Sequence, residues 1–227
     1  MNNIGTLSEK SIHRGLKNLL ESDKQYHEVQ VGYYIADIKK DNDIFEIQTQ
    51  NFKKLLPKLD YYINNNYNVT VVYPIIHRKL IQWVDPDSLE VLDSRKSSKI
   101  GVIQDCFKEL YWIIDYIAKE EIKFKIVLIN ADEYKYLDGY GQSQKIKATK
   151  IDKLATSIEK VIDIESIGDL KVFVPDTLKN PWTSQDFIKA AKCNKRWASS
   201  GLKMLRDYNI IQFIGKRGNA FLYESIK

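Results

Sequence analysis

Two carboxylates and an amide, Asp37, Glu46 and Gln48, fall close together within the segment Val29–Leu59, VQVGYYIADIKKDNDIFEIQTQNFKKLLPKL. Val29, Val31, Tyr33 and Ile35 alternate at the strand period, which predicts a strand with Asp37 closing the same face. The polar stretch KKDND at 39–43 is turn material. Ile44–Gln48 then returns as a second strand, whose period of two puts Glu46 and Gln48 on one face. Two facing strands would thus deliver all three side chains to one small volume. A carboxylate pair beside a third polar group suits a hard cation. Mg²⁺ takes one or two carboxylates and keeps its waters for a phosphate substrate. Each carboxylate also has an ordinary reading, as a turn Asp or a solvated strand Glu. Burying both together without a cation is costly.

Asp37, the run IFEIQ at 44–48 and the helix that follows resemble the core of the PD-(D/E)XK nuclease superfamily, the restriction-endonuclease-like fold. That family's pattern is an Asp at the end of one strand, then a Glu or Asp, a spacer residue and a Lys on the next. Here Gln48 stands where Lys is usual, a Glu-x-Gln variant that some active restriction enzymes share. The resemblance implies an α/β fold with a mixed sheet flanked by helices. It also implies Mg²⁺ (or Mn²⁺) held by Asp37 and Glu46, with Gln48 positioning water or the metal shell. Gln takes no proton, so water activation falls more heavily on the metal. Alternatively a lysine on the next helix supplies the charge, and Lys58 is the candidate.

The elements around this hairpin are read from capping and periodicity. Thr6-Leu7-Ser8-Glu9 is a capping box opening a helix with the apolar stripe Ile12, Leu16, Leu19 and Leu20. Glu9, His13 and Lys17 run along one flank at spacings of four. By resemblance, Glu9 lends a carboxylate to the metal shell and His13 or Lys17 faces a phosphate. Glu9 as a helix cap and Lys17 as a solvated side chain stay open. Phe52, Leu55, Leu56, Leu59, Tyr62 and Ile63 have helical spacing, interrupted by Pro57. Val69–Ile75 reads as a buried strand reached by a crossover, giving a partly parallel sheet. Lys79–Val84 is another strand, and SRKSSK at 94–99 a basic loop, either a phosphate contact or solvated. A helix at Val102–Ala118, a strand at Phe124–Ile129, a hairpin or mobile loop at Asp138–Lys150 and a last helix at Ile151–Ile162 complete the first domain, 1–168.

The net charge of +5 is unevenly spread: residues 171–227 hold 11 Lys and Arg against 4 Asp and Glu, and residues 1–170 hold 24 against 26. Such asymmetry points to a nucleic-acid partner for the basic part. Asp176–Lys227 resembles a winged helix-turn-helix, with Trp182–Ala191 as support helix and Lys195–Asn209 as recognition helix. Ile210–Ile214 and Ala220–Tyr223 pair across the glycine-bracketed wing GKRGN. In that family the recognition helix enters the major groove and the wing lies along the backbone. Carried onto this chain, Lys195, Arg196, Ser199, Ser200 and Lys203 face DNA from the helix, and Lys216, Arg217 and Asn219 from the wing. No stretch is long and apolar enough to span a bilayer, and Cys106 and Cys193 lack metal-ligand spacing. The sequence therefore predicts a soluble, cytoplasmic DNA endonuclease that forms a homodimer if it cuts both strands. A non-catalytic DNA-binding regulator on a degenerate nuclease fold is the alternative, and a protein-interaction module is a third reading.

Overall fold

The computed structural model describes residues 10–139 and 147–226. Helix α1 (Lys10–Leu20) precedes an antiparallel meander of β1 (His27–Val31), β2 (Tyr34–Lys40) and β3 (Asp43–Ile47). Helix α2 (Leu56–Asn64) follows, with Pro57 in its first turn, where a missing N–H leaves no hydrogen bond unmade. The chain returns as β4 (Asn68–Val84), parallel to β3, and β5 (Val91–Lys96) folds back along the end of β4. Two short helices, α3 (Phe107–Leu110) and α4 (Ile114–Ala118), lead to β6 (Ile122–Tyr136), parallel to β4. β7 (Thr149–Ile164) then runs antiparallel to β6. These seven strands form one mixed sheet, ordered β1-β2-β3-β4-β6-β7 with β5 paired to β4. This is the mixed α/β class expected from the sequence.

The sheet is covered on both faces. Leu59 and Tyr62 of α2, Phe107 and Leu110 of α3, and Ile114 and Ile117 of α4 pack on Val71, Tyr73 and Phe124. Leu16 of α1 packs on the other face with Ile38, Ile47, Val72 and Val127. A strand buried on both faces reads as a nearly continuous apolar run, and Val69–Ile76 does so.

Several expected elements differ, each for a local reason. The single strand from Val29 to Asp37 is a hairpin, broken at Gly32. Gly32 has φ +58°, and a Cβ there would lie 1.8 Å from the Tyr61 hydroxyl. The two strands expected at 69–75 and 79–84 are one strand with a register shift between Ile76 and Arg78, which resets the alternation. The helix expected at Val102–Ala118 is a 3-10 turn followed by α3 and α4, whose apolar side chains still share one core. The helix expected at Ile151–Ile162 is β7. Three register shifts against β6 scramble its period of two, and the resulting Ile158, Val161, Ile162 spacing mimics a helix. Leu19, expected in the apolar stripe of α1, is exposed. The Thr6–Glu9 capping box, with Glu9 itself, and the middle of Asp138–Lys150 lie outside the described residues.

Past a 3-10 segment (Ile167–Phe173), the chain forms β8 (Trp182–Thr183), α5 (Ser184–Ala191), α6 (Lys195–Asp207), β9 (Ile211–Arg217) and β10 (Ala220–Ser225). The three strands make a small antiparallel sheet in the order β8-β10-β9. Thr183 and Asp186 form a capping box for α5, and the Asn194 side chain caps α6. The apolar core is continuous with that of the large sheet. Phe107 of α3 packs against Phe173 and Phe187, at ring distances of 5.0 and 6.4 Å. Its ring also occupies the space beside Gly201 of α6, where a Cβ would lie 2.0 Å from Phe107 Cδ2.

This contact inverts an ordinary rule. In a solvent-facing helix, Gly→Ala stabilises by about 0.5–1 kcal/mol. Gly201→Ala should instead destabilise the protein by about 1–3 kcal/mol, because the methyl must displace a packed ring. Denaturant unfolding of the two proteins checks this; a Gly201→Ala variant as stable as wild type would remove the contact from the account.

Candidate active site

β3 is five residues long and ends at Ile47, whereas its parallel neighbour β4 continues to Val84. The crevice beyond the carboxyl end of a strand is where open α/β sheets place their sites. The Asp41–Asn42 turn, with Asp41 at φ +51°, aligns β2 against β3. The Ile47 backbone N–H donates to Asp37 Oδ2 at 2.8 Å, and His13 Nε2 of α1 lies 3.0 Å from the same oxygen. The carboxylate carried by β2 is therefore held by β3 and α1.

Glu46 is buried at the end of β3. Helix α2 presents Lys58 and Tyr62 one turn apart on the same face, and both reach it. Lys58 Nζ donates to Glu46 Oε2 at 2.6 Å and to the Ile35 carbonyl at 2.6 Å. The Tyr62 hydroxyl donates to Glu46 Oε1 at 3.2 Å. Burial, and then the nearby charge of Asp37, push the Glu46 carboxyl up to about 7, against the pull of Lys58 and Tyr62. Burial and Glu46 in turn raise the Tyr62 phenol well above its ordinary range, so it stays a donor.

The repulsion between Asp37 and Glu46 is the feature a divalent cation would relieve. Among the described residues no three His, Cys, Asp or Glu side chains gather as a metal cage. Two carboxylates fit Mg²⁺ or Mn²⁺, which leave other positions to water and substrate oxygens; they do not fit structural zinc.

The other residues singled out by sequence separate into groups. Gln48 lies one residue past β3. Its backbone N–H donates to Val72 O at 2.9 Å and its side-chain amide to the Gln50 carbonyl, so it turns along the chain rather than onto Glu46. The cation that reaches Glu46 is Lys58. Lys17 is buried and paired with Glu28 at 2.9 Å rather than solvated. On α6, Lys195, Arg196, Ser199, Ser200 and Lys203 are exposed, as are Lys216, Arg217 and Asn219 at the wing. Lys203 pairs with Asp207 at 2.6 Å, and Arg217 lies 3.7 Å from Asp186. Sequence reasoning missed Tyr62, although its spacing of four from Lys58 was a usable signal. It also missed Glu133, buried among Lys79, Lys135 and Lys153 at 2.7, 3.3 and 3.3 Å. Those residues come from three distant segments, and no local pattern joins them.

The chain belongs to the family described as domain of unknown function DUF8091, whose model matches residues 10–165. That span contains His13, Asp37, Glu46, Gln48 and Lys58. An uncharacterized protein of Treponema pallidum (strain Nichols) is 27% identical over 222 residues, covering 97% of this chain and 86% of that protein. No solved structure matches. Among the described residues no helix is long and apolar enough to cross a membrane.

The raised Glu46 carboxyl makes stability depend on pH. Because its folded value lies above the ordinary 4.5, the folded protein holds a proton that the unfolded chain releases between about pH 4.5 and 7. Stability is present below that window and is lost as pH rises through it, by up to about 3 kcal/mol. Glu46→Gln removes the titration. Relative to wild type in EDTA, it should gain about that much between pH 5 and pH 8. Parallel urea curves with a pH-independent difference would show that Glu46 does not titrate there.

Proposed function

We propose that this protein is a metal-dependent DNA endonuclease whose C-terminal helices and hairpin hold the DNA. The observation that carries the reading is the buried Glu46, repelled by Asp37 and bridged by the Lys58 ammonium, at the end of β3. Asp37 and Glu46 are the residues that would hold Mg²⁺. A cation there supplies charge against the scissile phosphate and acidifies water at the site. His13 and the Ile47 N–H fix the orientation of Asp37. Tyr62 does the same for Glu46. Lys58, anchored by Glu46 and the Ile35 carbonyl, is a preorganised cation for the negative charge that develops on the phosphate. The exposed cations of α6 and of the β9–β10 turn supply the phosphate contacts that hold the duplex. Cleavage of both strands by one site per chain would call for a homodimer.

One observation favours the alternative of a non-catalytic DNA-binding regulator. Both Glu46 oxygens are engaged by protein donors, as in a carboxylate that serves only the fold.

The two readings separate at Asp37. Plasmid nicking in Mg²⁺ by Asp37→Ala should fall at least about a thousandfold, as expected when electrostatic stabilisation of the transition state is lost. Its metal-free DNA binding should be unchanged or tighter, because a charge repelling phosphate has gone. Lys58→Ala should slow nicking by about 10²-fold. Gln48→Ala should have a smaller effect and Gln48→Lys should retain activity. An Asp37→Ala protein that nicks at the wild-type rate places the chemistry elsewhere; wild-type protein that binds DNA in Mg²⁺ without cutting supports the regulator.

A further inference from the structure

Where β3 stops, the continuing stretch of β4 from Tyr73 to Ile76 floors a cleft of about 380 Å³. Its rim includes Ile12 and Thr49, the chain neighbours of His13 and Gln48. Lys79, Lys99, Lys108 and Lys153 line it, together with Trp197 of α6. A second cleft, of about 480 Å³, shares Lys108 and Trp197 and is lined by Lys53, Lys54 and Trp112. The two meet at that shared pair. We propose that together they form a binding groove for single-stranded DNA, which leads one unpaired strand to the Asp37–Glu46 site.

The charge balance favours a polyanion. Six lysines line the two clefts, against the carboxylates of Asp105 and Glu109. Both carboxylates already accept backbone N–H groups, from Val102 at 3.2 Å and Phe52 at 3.0 Å. Behind the first cleft, Lys79 and Lys153 share the single carboxylate of Glu133 with Lys135, leaving excess positive charge. Burial, followed by the charges of Lys150 and Lys79, works against the Lys153 ammonium, and an arriving phosphate would offset both.

The lining is also rigid. The segment 97–101 is pinned to β4 by the Ser97 N–H on the Lys79 carbonyl at 2.8 Å and the Gly101 N–H on the His77 carbonyl at 3.1 Å. A Cβ at Gly101 would lie 2.3 Å from the Ile76 carbonyl oxygen, so only glycine permits this approach. The basic stretch SRKSSK thus contributes Ser97 and Lys99 to a fixed wall.

Size and aromaticity select a single strand. Volumes of this order hold a small ligand and are far too small for a double helix. Indoles set among lysines are stacking platforms for bases whose faces are hidden in a duplex. Trp112 is 40% exposed with Lys53 over its ring at 5.3 Å, and Arg196 lies over Trp197 at 4.8 Å.

Cleavage of the held strand rests on the nuclease reading, but binding does not. Fluorescence anisotropy of the full chain in EDTA, with a labelled single strand and the matching duplex, tests binding alone. The single strand should bind with salt-sensitive affinity. Lys99→Glu with Lys108→Glu should weaken it by about 10–100-fold, and Trp112→Ala by about tenfold. Duplex binding should change less than about twofold in both variants, and thermal unfolding confirms that they are folded. Single-strand affinity equal to wild type in both variants, or equal losses for strand and duplex, would overturn the groove. If wild type binds the strand as described yet never cuts DNA in Mg²⁺, the groove stands and the nuclease reading falls. If it cuts duplex while the groove variants change nothing, the groove falls alone.

Discussion

The parallel pairing of β4 with β6 runs from Val69 opposite Ile122 to Val84 opposite Tyr136, with one register shift on the way. Most of the molecule is attached to this ladder. Its first half is covered on both faces by helices and makes the core. Beyond Val72 it leaves β3 behind, and β5 takes up pairing only from Leu80 to Val84, so the gap between the two makes a step in the sheet. A backbone edge left without its neighbour must be covered or used. Here the step carries Glu46 at its corner and the lysine-lined cleft along its floor, so site and cleft share one cause.

Two carboxylates shut off from solvent on this sheet are shifted in opposite directions. Glu133 is surrounded by Lys79, Lys135 and Lys153. Burial pushes its carboxyl up, but Lys79 and Lys153 outweigh that and hold it at about 2. Glu46 has one lysine and faces Asp37, and burial wins. The first is a permanently charged strut between strands. The second is poised near neutrality, where a modest change in its surroundings decides whether it carries charge. Desolvation raises both, and the number and sign of the neighbours decide which way each ends up.

The parts of the fold that were legible in the sequence are those with undisturbed local periodicity. The β2–β3 hairpin with Asp37 and Glu46, the break at Pro57 and the helix–helix–hairpin order after Trp182 all follow from turn residues and alternation. Lys58 was legible as a cation on the next helix, but its 2.6 Å approach to Glu46 depends on how α2 lies across β3. β7 was not legible, because its register shifts hide a strand under helical spacing. Gln48 lies one residue past β3, and the bond from its amide to the Gln50 carbonyl is a local contact that strand alternation does not show. The Glu133 cluster is brought together only by the long β4–β6–β7 pairing, and the cleft lysines come from segments spread from Lys53 to Lys153, so no window of sequence contains either.

The meeting of Gly201 with Phe107 has a mechanical consequence. Backbone against ring, with no side chain between, leaves no hinge or slack at the junction of α6 with α3, and Tyr208 adds a second tie to Asp115 of α4. The helix is a fixed jaw rather than an arm on a tether. On the nuclease reading proposed above, a strand held by α6 would be presented to Asp37 and Glu46 at one constant offset. On that reading the molecule would work as a caliper, converting a position of attachment into a position of chemistry without a moving part.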